Sequence, residues 1–167
     1  ATWSGVSRVA GDPLLHHSWT SFTVENTDGG LIDNWVYAIE IGEGDNIWFG
    51  TEAGLSLYDG KKWRNWNHKN GLGASHEIVE NDNRWVTDTF KGSHHNNQAV
   101  DLPNTGSADY RPNYIVSMLL DQANRLWVGT WGGGLSMFDP ATQVFRNYTV
   151  KDGLPGNYIL ALNEGPD

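Results

Sequence analysis

Three histidines are the side chains of this sequence best suited to acid–base or metal chemistry. His94 and His95 are adjacent, and His76 lies upstream with acidic neighbours at Glu77 and Glu80. A His paired with a carboxylate would support a lyase or a hydrolase. Adjacent histidines on a strand point to opposite faces, so the pair is unsuited to chelating one ion, and no zinc motif is completed nearby. We therefore predict no metal site and no cofactor.

Other catalytic motifs are absent from the sequence. There is no cysteine, which removes thiolate ligands, cysteine nucleophiles and disulfides. There is also no Gly-x-Ser-x-Gly elbow, no His-Glu-x-x-His and no phosphate-binding loop. The sequence leaves open whether the chain is an enzyme, and it favours a non-catalytic role.

A repeated unit positions these side chains. Residues 46–51 return as residues 125–130, each with Trp followed by Gly-Thr, and residues 54–59 return as residues 134–139. Such self-similarity at a period of about 40 residues is typical of repeat architectures. The recurring Trp predicts packing between neighbouring units, and the recurring Gly predicts close approach of backbones. We assign these structural roles to the following residues: Trp48, Trp85, Trp127, Gly50 and Gly129.

The spacing of a recurring Gly-Leu indicates a degenerate middle repeat. From Leu31 to Leu72 is 41 residues, and from Leu72 to Leu154 is 82, which is twice that interval. Trp85 marks the repeat that we expect to stand between the other two.

Each full repeat is predicted to form four strands. In the first repeat they are Val36–Ile41, Asn46–Thr51, Leu55–Tyr58 and Lys62–Trp66, separated by Gly- and Asp-rich turns. Four short antiparallel strands in about 40 residues make a propeller blade. We predict an all-β fold, a β-propeller segment of about three four-stranded blades plus flanking strands. The parts are an irregular segment at 1–17, a fourth strand at 18–24, blades at about 31–67, 72–111 and 113–149, and a first strand of a next blade at 157–163.

The middle repeat departs most from its siblings. Where they have an apolar third strand, residues 93–97 read Ser-His-His-Asn-Asn, which cannot pack in the same way. One interpretation is a frayed blade or a surface loop running to about Arg111. The other is an insertion that faces a partner or a ligand. On the second interpretation the candidate binding residues are His76, His94, His95, Asn96 and Asn97, together with Trp131 of the last repeat.

The repeat resembles that of the two-component regulator propeller family. The resemblance covers roughly residues 19–163, and residues 127–139 with Gly153-Leu154-Pro155-Gly156-Asn157 are its most specific part. It implies a bacterial β-propeller sensor module acting in signal transduction, periplasmic or extracellular, often with a glycan-derived ligand. No kinase, receiver or DNA-binding segment is present in the sequence, so the signalling role is implied by the resemblance alone.

The charge and the hydropathy of the sequence limit the kinds of partner that the chain can bind. The formal charge of −9 argues against nucleic acid and anionic membrane surfaces. No apolar run approaches the roughly 20 residues of a membrane-spanning helix, so we predict no membrane insertion. Because the strand phase begins at a fourth strand and ends after a first, we expect a fragment or an arc completed by another chain. A small closed propeller of four irregular blades is the alternative.

These observations favour a non-catalytic recognition module that binds a protein partner, the rest of the same propeller, or an oligosaccharide. Two alternatives stay open. One is a structural subunit of a larger extracellular or periplasmic complex. The other is a propeller enzyme of the lyase or hydrolase type, which would use His76 with Glu77 or Glu80.

Overall fold

The first and last repeats each fold into a four-stranded antiparallel sheet in the computed structural model, which describes residues 1–12, 19–79 and 110–165. Sequential strands are neighbours in both sheets, the arrangement of a propeller blade. Blade A consists of β3 (Val36–Ile41), β4 (Ile47–Thr51), β5 (Leu55–Tyr58) and β6 (Trp63–Trp66). Blade B consists of β7 (Arg111–Leu120), β8 (Leu126–Trp131), β9 (Leu135–Asp139) and β10 (Val144–Tyr148).

The turn chemistry explains where these strands end. Between β5 and β6, the Asp59 carboxylate accepts hydrogen bonds from the backbone N–H groups of Lys61 and Lys62 at 3.1 and 2.7 Å, and Gly60 adopts a left-handed φ of 85°. Asp is favoured in turns because its side chain bonds the backbone a few residues on. The all-β propeller prediction is confirmed, and the strands predicted for the first repeat match those of blade A to within one residue.

The N-terminal segment is not irregular, which corrects our prediction for residues 1–17. β1 (Val6–Val9) pairs antiparallel with β2 (Trp19–Phe22), and we call this pair the N-terminal sheet. Thr2 donates to the Gly5 carbonyl at 2.8 Å, as Thr51 does to Gly54 and Thr130 to Gly134. These hydrogen bonds show that β1 and β2 are the third and fourth strands of a repeat.

The sequence obscured this repeat for two physical reasons. Val9 and Trp19 are directly paired, as are Tyr58 and Trp63 in blade A, but the loop between the N-terminal pair is longer. Arg8 also replaces the apolar residue found at Leu57, so the alternation is weaker.

Blade A packs directly against blade B. The Trp48 indole meets the Phe138 ring edge-on, with centroids 5.7 Å apart, and both lie in the core that fills the space between the sheets. A Cβ atom on Gly50 would come within 2.4 Å of the Ile115 Cγ2 atom. Stacked sheets lie about 10 Å apart, so no further sheet fits between them. The predicted position of the middle repeat, between the first and the last, is therefore wrong.

A hydrogen bond that recurs in the repeats shows where the residues that do not belong to the repeat begin. The Asn34 side-chain oxygen accepts from Val24 N–H at 2.8 Å, and that of Asn157 accepts from Val150 N–H at 3.1 Å. Each of these asparagines lies three residues after a repeat Leu. After Leu72 the third residue is Ser75, and Asn113 instead accepts from His68 N–H.

An insertion of 38 residues between Gly73 and Asn113 thus separates two adjoining positions of the repeat, because Leu72 and Asn113 are 41 residues apart where the other repeats have 3. Leu72 is buried in the core between the blades, and the Asn147 amide donates to the Gly71 carbonyl at 3.0 Å. The insertion begins with α1 (His76–Val79) and returns at Tyr110. Trp85 and the candidates at 94–97 lie outside the described residues. None of the helices in the described part of the chain is long and apolar enough to cross a bilayer.

Replacing Ser136 with alanine tests how the start of the insertion is held on blade B. The buried Ser136 hydroxyl accepts from Gly73 N–H at 2.9 Å and donates to the Asn147 side chain at 2.6 Å. Removing it leaves two polar groups without this partner, and we expect a loss of about 1–3 kcal/mol in the free energy of unfolding. Urea denaturation measures this loss.

Ser7 provides the matched control because it occupies the same position in the N-terminal sheet. Its hydroxyl is exposed and lies 3.4 Å from that of Ser21. Ser7→Ala is expected to change stability by less than about 0.5 kcal/mol. Equal losses in the two variants would contradict the described hydrogen bonding.

Candidate binding surface

The two blades bring the beginnings of their first strands and the ends of their second strands to one edge of the molecule. β3 lies against β7, so the first strands are the ones nearest the propeller axis. Backbone hydrogen bonds tie the edge together: Glu52 N–H donates to the Trp35 carbonyl at 3.2 Å, and Ile159 N–H donates to the Thr130 carbonyl at 3.3 Å. Side chains of these strand ends therefore share one surface.

Aromatic rings dominate this surface. Tyr114 lies 4.8 Å from Tyr37 across the blade boundary and stacks on Trp131 at 5.7 Å, measured between ring centroids. Trp131 meets Tyr158 edge-on at 5.4 Å. At the other end Trp3, 64% exposed, stacks on Trp35 at 5.6 Å with the ring planes 9° apart. We call these six side chains the aromatic row: Trp3, Trp35, Tyr37, Tyr114, Trp131 and Tyr158.

One carboxylate interrupts the aromatic row. Glu52 occupies the repeat position that holds Trp3 in the N-terminal sheet and Trp131 in blade B. The Tyr37 hydroxyl donates to the Glu52 carboxylate at 3.2 Å. Burial, together with the adjacent Tyr114 hydroxyl and the Glu52 carboxylate, raises the pKa of Tyr37 above its ordinary value. Burial also raises the pKa of Tyr114, so both phenols keep their protons at neutral pH.

The predicted binding residues are divided between two places. Trp131 lies in the aromatic row, whereas His76 lies at the start of the insertion with its ring 5.0 Å from that of Tyr110. The buried Tyr110 hydroxyl donates to the Ala74 carbonyl at 2.6 Å, and burial raises the pKa of Tyr110 to about 12. The two places adjoin, because Ala74 N–H donates to the Gly133 carbonyl at 2.8 Å.

The contact described for His76 is with an aromatic ring. Its ring packs edge-on against Tyr110, Glu77 is exposed, and Glu80 lies outside the described residues. Within residues 1–12, 19–79 and 110–165 there is no group of three His, Asp or Glu side chains that could hold a metal ion.

The repeat tryptophans occupy different environments in the two blades, whereas the repeat glycines occupy equivalent ones. Trp48 is 3% exposed between the blades, whereas Trp127 is half-buried and stacks on Tyr148 at 5.8 Å. Gly129 faces Ile159, as Gly50 faces Ile115.

Sequence reasoning missed most of the aromatic row. Its signal was available, because an aromatic residue follows the repeat asparagine at Trp35, Tyr114 and Tyr158. An aromatic residue at this position fits a strand of any kind, and the pattern of one strand does not reveal which residues of the neighbouring blade it meets.

Known proteins support the propeller interpretation. Residues 109–132, which cover β7 and β8, match the family model of the two component regulator propeller, and the predicted resemblance is thereby confirmed. No curated protein is significantly similar to this chain.

Several solved structures are similar to the chain, and two of them are described here. One is described as the extracellular domain of a hybrid two component system from B. thetaiotaomicron. It is 18% identical with a TM-score of 0.50, and the match covers 81% of this chain and 14% of that one. The other is PorZ, a surface component of the type-IX secretion system of Porphyromonas gingivalis, 17% identical with a TM-score of 0.43, covering 77% of this chain and 15% of that one. The first likeness establishes the propeller-type fold, and this chain spans about a seventh of each of these proteins.

Proposed function

We propose that the chain is a non-catalytic ligand-recognition part of a propeller sensor that acts in the periplasm or outside the cell, and that the aromatic row is its binding surface. The observation that carries the proposal is the group of six rings, of which only Tyr114 is buried, along the edge where the first strands begin and the second strands end, interrupted by one carboxylate. Binding sites combine apolar and aromatic walls with a few placed polar groups, and this edge has that composition.

A neutral oligosaccharide fits this surface best. The pyranose ring has an apolar C–H face that packs on an indole or a phenol, and it has hydroxyls at its rim that need hydrogen-bond partners. The exposed Trp3 and the half-buried rings of Trp35 and Trp131 supply the first, and Glu52 with Tyr37 supplies the second. Aromatic side chains that also carry a hydrogen-bonding group suit ligands that are partly apolar and partly hydrated. The formal charge of −9 disfavours anionic ligands.

The proposed location outside the cytoplasm is supported by similarity to known proteins and not by the geometry of the aromatic row. The two component regulator propeller match and the likeness to an extracellular sensor domain support a sensing role outside the cytoplasm. The insertion that begins at α1 adjoins the aromatic row through the Ala74–Gly133 hydrogen bond, so a ligand on the row would lie close to a segment that differs from the repeat.

Replacing Trp131 with alanine tests the binding surface. The probes are a panel of defined neutral and acidic oligosaccharides, and binding is measured by calorimetry and indole fluorescence. We expect at least one neutral oligosaccharide to bind. We expect Trp131→Ala to weaken its binding about thirtyfold, because truncating a central aromatic contact costs about 2 kcal/mol or more.

Trp19→Ala is the matched control, because Trp19 is an exposed indole paired with Val9 at the opposite end of β1 from Trp3. It should bind the same oligosaccharide as tightly as the unaltered chain. Absence of binding by any neutral oligosaccharide, or equal affinity of the Trp131→Ala variant, would overturn the proposal.

A further inference from the structure

Glu52 stands where the neighbouring repeats place an indole. Trp131 meets Tyr158 of the next repeat edge-on at 5.4 Å, and two indoles make the same kind of contact at the other end of the aromatic row, stacked at 5.6 Å. The corresponding residues at the boundary between blades A and B are Glu52 and Tyr114. The aromatic row is therefore built on a recurring contact between two rings, and its middle contact has a carboxylate in place of one ring.

Tyr37 positions this carboxylate at the blade boundary. Its counterpart in blade B is the smaller Val116. The register between β3 and β4 shifts at Tyr37, and a bulge of this kind re-aims the side chain that it contains. The Tyr37 ring lies 4.8 Å from the Tyr114 ring, and its hydroxyl donates to Glu52 at 3.2 Å. A phenol of blade A thus holds the Glu52 carboxylate beside the first strand of blade B.

The surroundings of Glu52 suit a cationic group that donates hydrogen bonds. A carboxylate is an acceptor only and an ammonium is a donor only, and hydrogen bonds between charged partners are stronger than those between neutral ones. Glu52 is half-buried, and so are Trp35 and Tyr37, which adjoin it. Faces of aromatic rings attract cations as well. An ammonium at this point would gain from the carboxylate and from the rings.

Other charges of the chain affect this place. Arg111 is paired in register with Trp131 and brings one positive charge to the same edge. Burial is the main cause of the raised pKa of Tyr114, Glu52 adds to the rise and Arg111 opposes it, so both charges lie near that phenol. The guanidinium reduces the attraction for a ligand cation, whereas the formal charge of −9 favours it. We therefore expect a modest preference for a cation.

We propose that Glu52 determines the specificity of the aromatic row, and that the row binds an oligosaccharide carrying unacetylated amino groups more tightly than the same oligosaccharide with hydroxyls in their place. This inference rests on the proposed function, because it takes the row to be an oligosaccharide-binding surface. The sugar rings pack on the indoles in both ligands. A hydroxyl also donates to Glu52, so the neutral oligosaccharide remains a ligand, and an ammonium adds a positive charge at the same point.

Cellotriose and the matching trisaccharide of glucosamine test this specificity. Their affinities for the whole chain are measured by calorimetry at slightly acidic pH and about 0.15 M salt, where attraction between distant exposed charges is largely screened. We expect the glucosamine trisaccharide to bind about tenfold more tightly, which corresponds to about 1.4 kcal/mol. Glu52→Gln keeps the size of the side chain and an acceptor oxygen but removes the charge, so it should reduce the ratio of the two affinities to about one.

Glu43→Gln is the matched control, because it makes the same change of charge in the exposed turn between β3 and β4, at the opposite end of blade A. This variant should keep the preference for the glucosamine trisaccharide. Circular dichroism checks that both variants are folded, and Glu52→Asn repeats the test if Glu52→Gln is not. Equal affinities of the unaltered chain for the two trisaccharides, a preference that survives in Glu52→Gln, or an equal loss of preference in Glu43→Gln would each overturn the specificity assigned to Glu52.

The outcomes separate this inference from the proposed function. If a neutral oligosaccharide of the panel binds to the aromatic row but the amino groups bring no gain in affinity, the role assigned to Glu52 is wrong and the binding surface stands. If no oligosaccharide of either kind binds, both are wrong.

Discussion

Trp48→Ala is expected to lower the free energy of unfolding by about 3–5 kcal/mol, the usual cost of deleting a large buried aromatic side chain. Trp48 is packed between Trp66 and Phe138, at centroid distances of 5.8 and 5.7 Å. Its loss would open a cavity between the two sheets, beside the contact that Trp66 makes with Phe138 at 5.0 Å. Urea denaturation followed by circular dichroism measures the loss.

Trp127 is the internal control for this experiment, because it occupies the same repeat position in blade B, on the side away from blade A. Trp127→Ala removes less buried area and one hydrogen bond, from the indole to Asp121 at 2.8 Å, so we expect a loss of about 1–2 kcal/mol. Both variants are compared at a concentration where the chain is monomeric. Equal losses would mean that the two indoles are equally covered, and the direct contact between blades would be wrong.

The second large effect is expected for Gly50→Ala. The new methyl group would lie 2.4 Å from the Ile115 Cγ2 atom and 3.2 Å from the Met118 sulfur. Ile115 is fully buried and β-branched, so it has few rotamers with which to yield. Overpacking of this kind typically costs about 1–3 kcal/mol, measured as the shift of the urea midpoint at constant slope.

Gly156→Ala is the control for Gly50→Ala, because a Cβ atom at Gly156 would meet nothing within 4 Å and its φ is not in the left-handed region. It should be neutral or slightly stabilising, by up to about 1 kcal/mol, since alanine restricts the unfolded chain. If Gly50→Ala were as well tolerated as Gly156→Ala, Ile115 could not face Gly50, and blade B would not lie next to blade A.

The blades themselves were predictable from the sequence. Alternation from Val36 to Ile41 and the turn residues around Gly60 act over a few residues, and local patterns of this kind specify strands and turns directly. The near-copy in residues 125–139 then gave the second blade by analogy. The N-terminal sheet was missed because a long loop separates its strands and Arg8 breaks the apolar pattern.

The order of the sheets around the axis could not be predicted from the sequence. The 82-residue interval between Leu72 and Leu154 is compatible with an interposed blade and with an insertion of similar length. The contacts made by Asn113 and Ser136 distinguish them, as does the close approach of Gly50 to Ile115. The aromatic row was missed for the same reason, since Tyr37 and Tyr114 become neighbours only when blade B lies beside blade A.

The direct contact of the two blades is tested most directly by nuclear Overhauser spectroscopy on the isotope-labelled chain. We predict cross-peaks between the Trp48 indole and the Phe138 ring, and between the rings of Tyr37 and Tyr114, because each pair has centroids less than 6 Å apart. A blade between them would separate the pairs by about 20 Å. Absence of both cross-peaks, with Trp48 instead showing contacts to residues 80–109, would contradict the account.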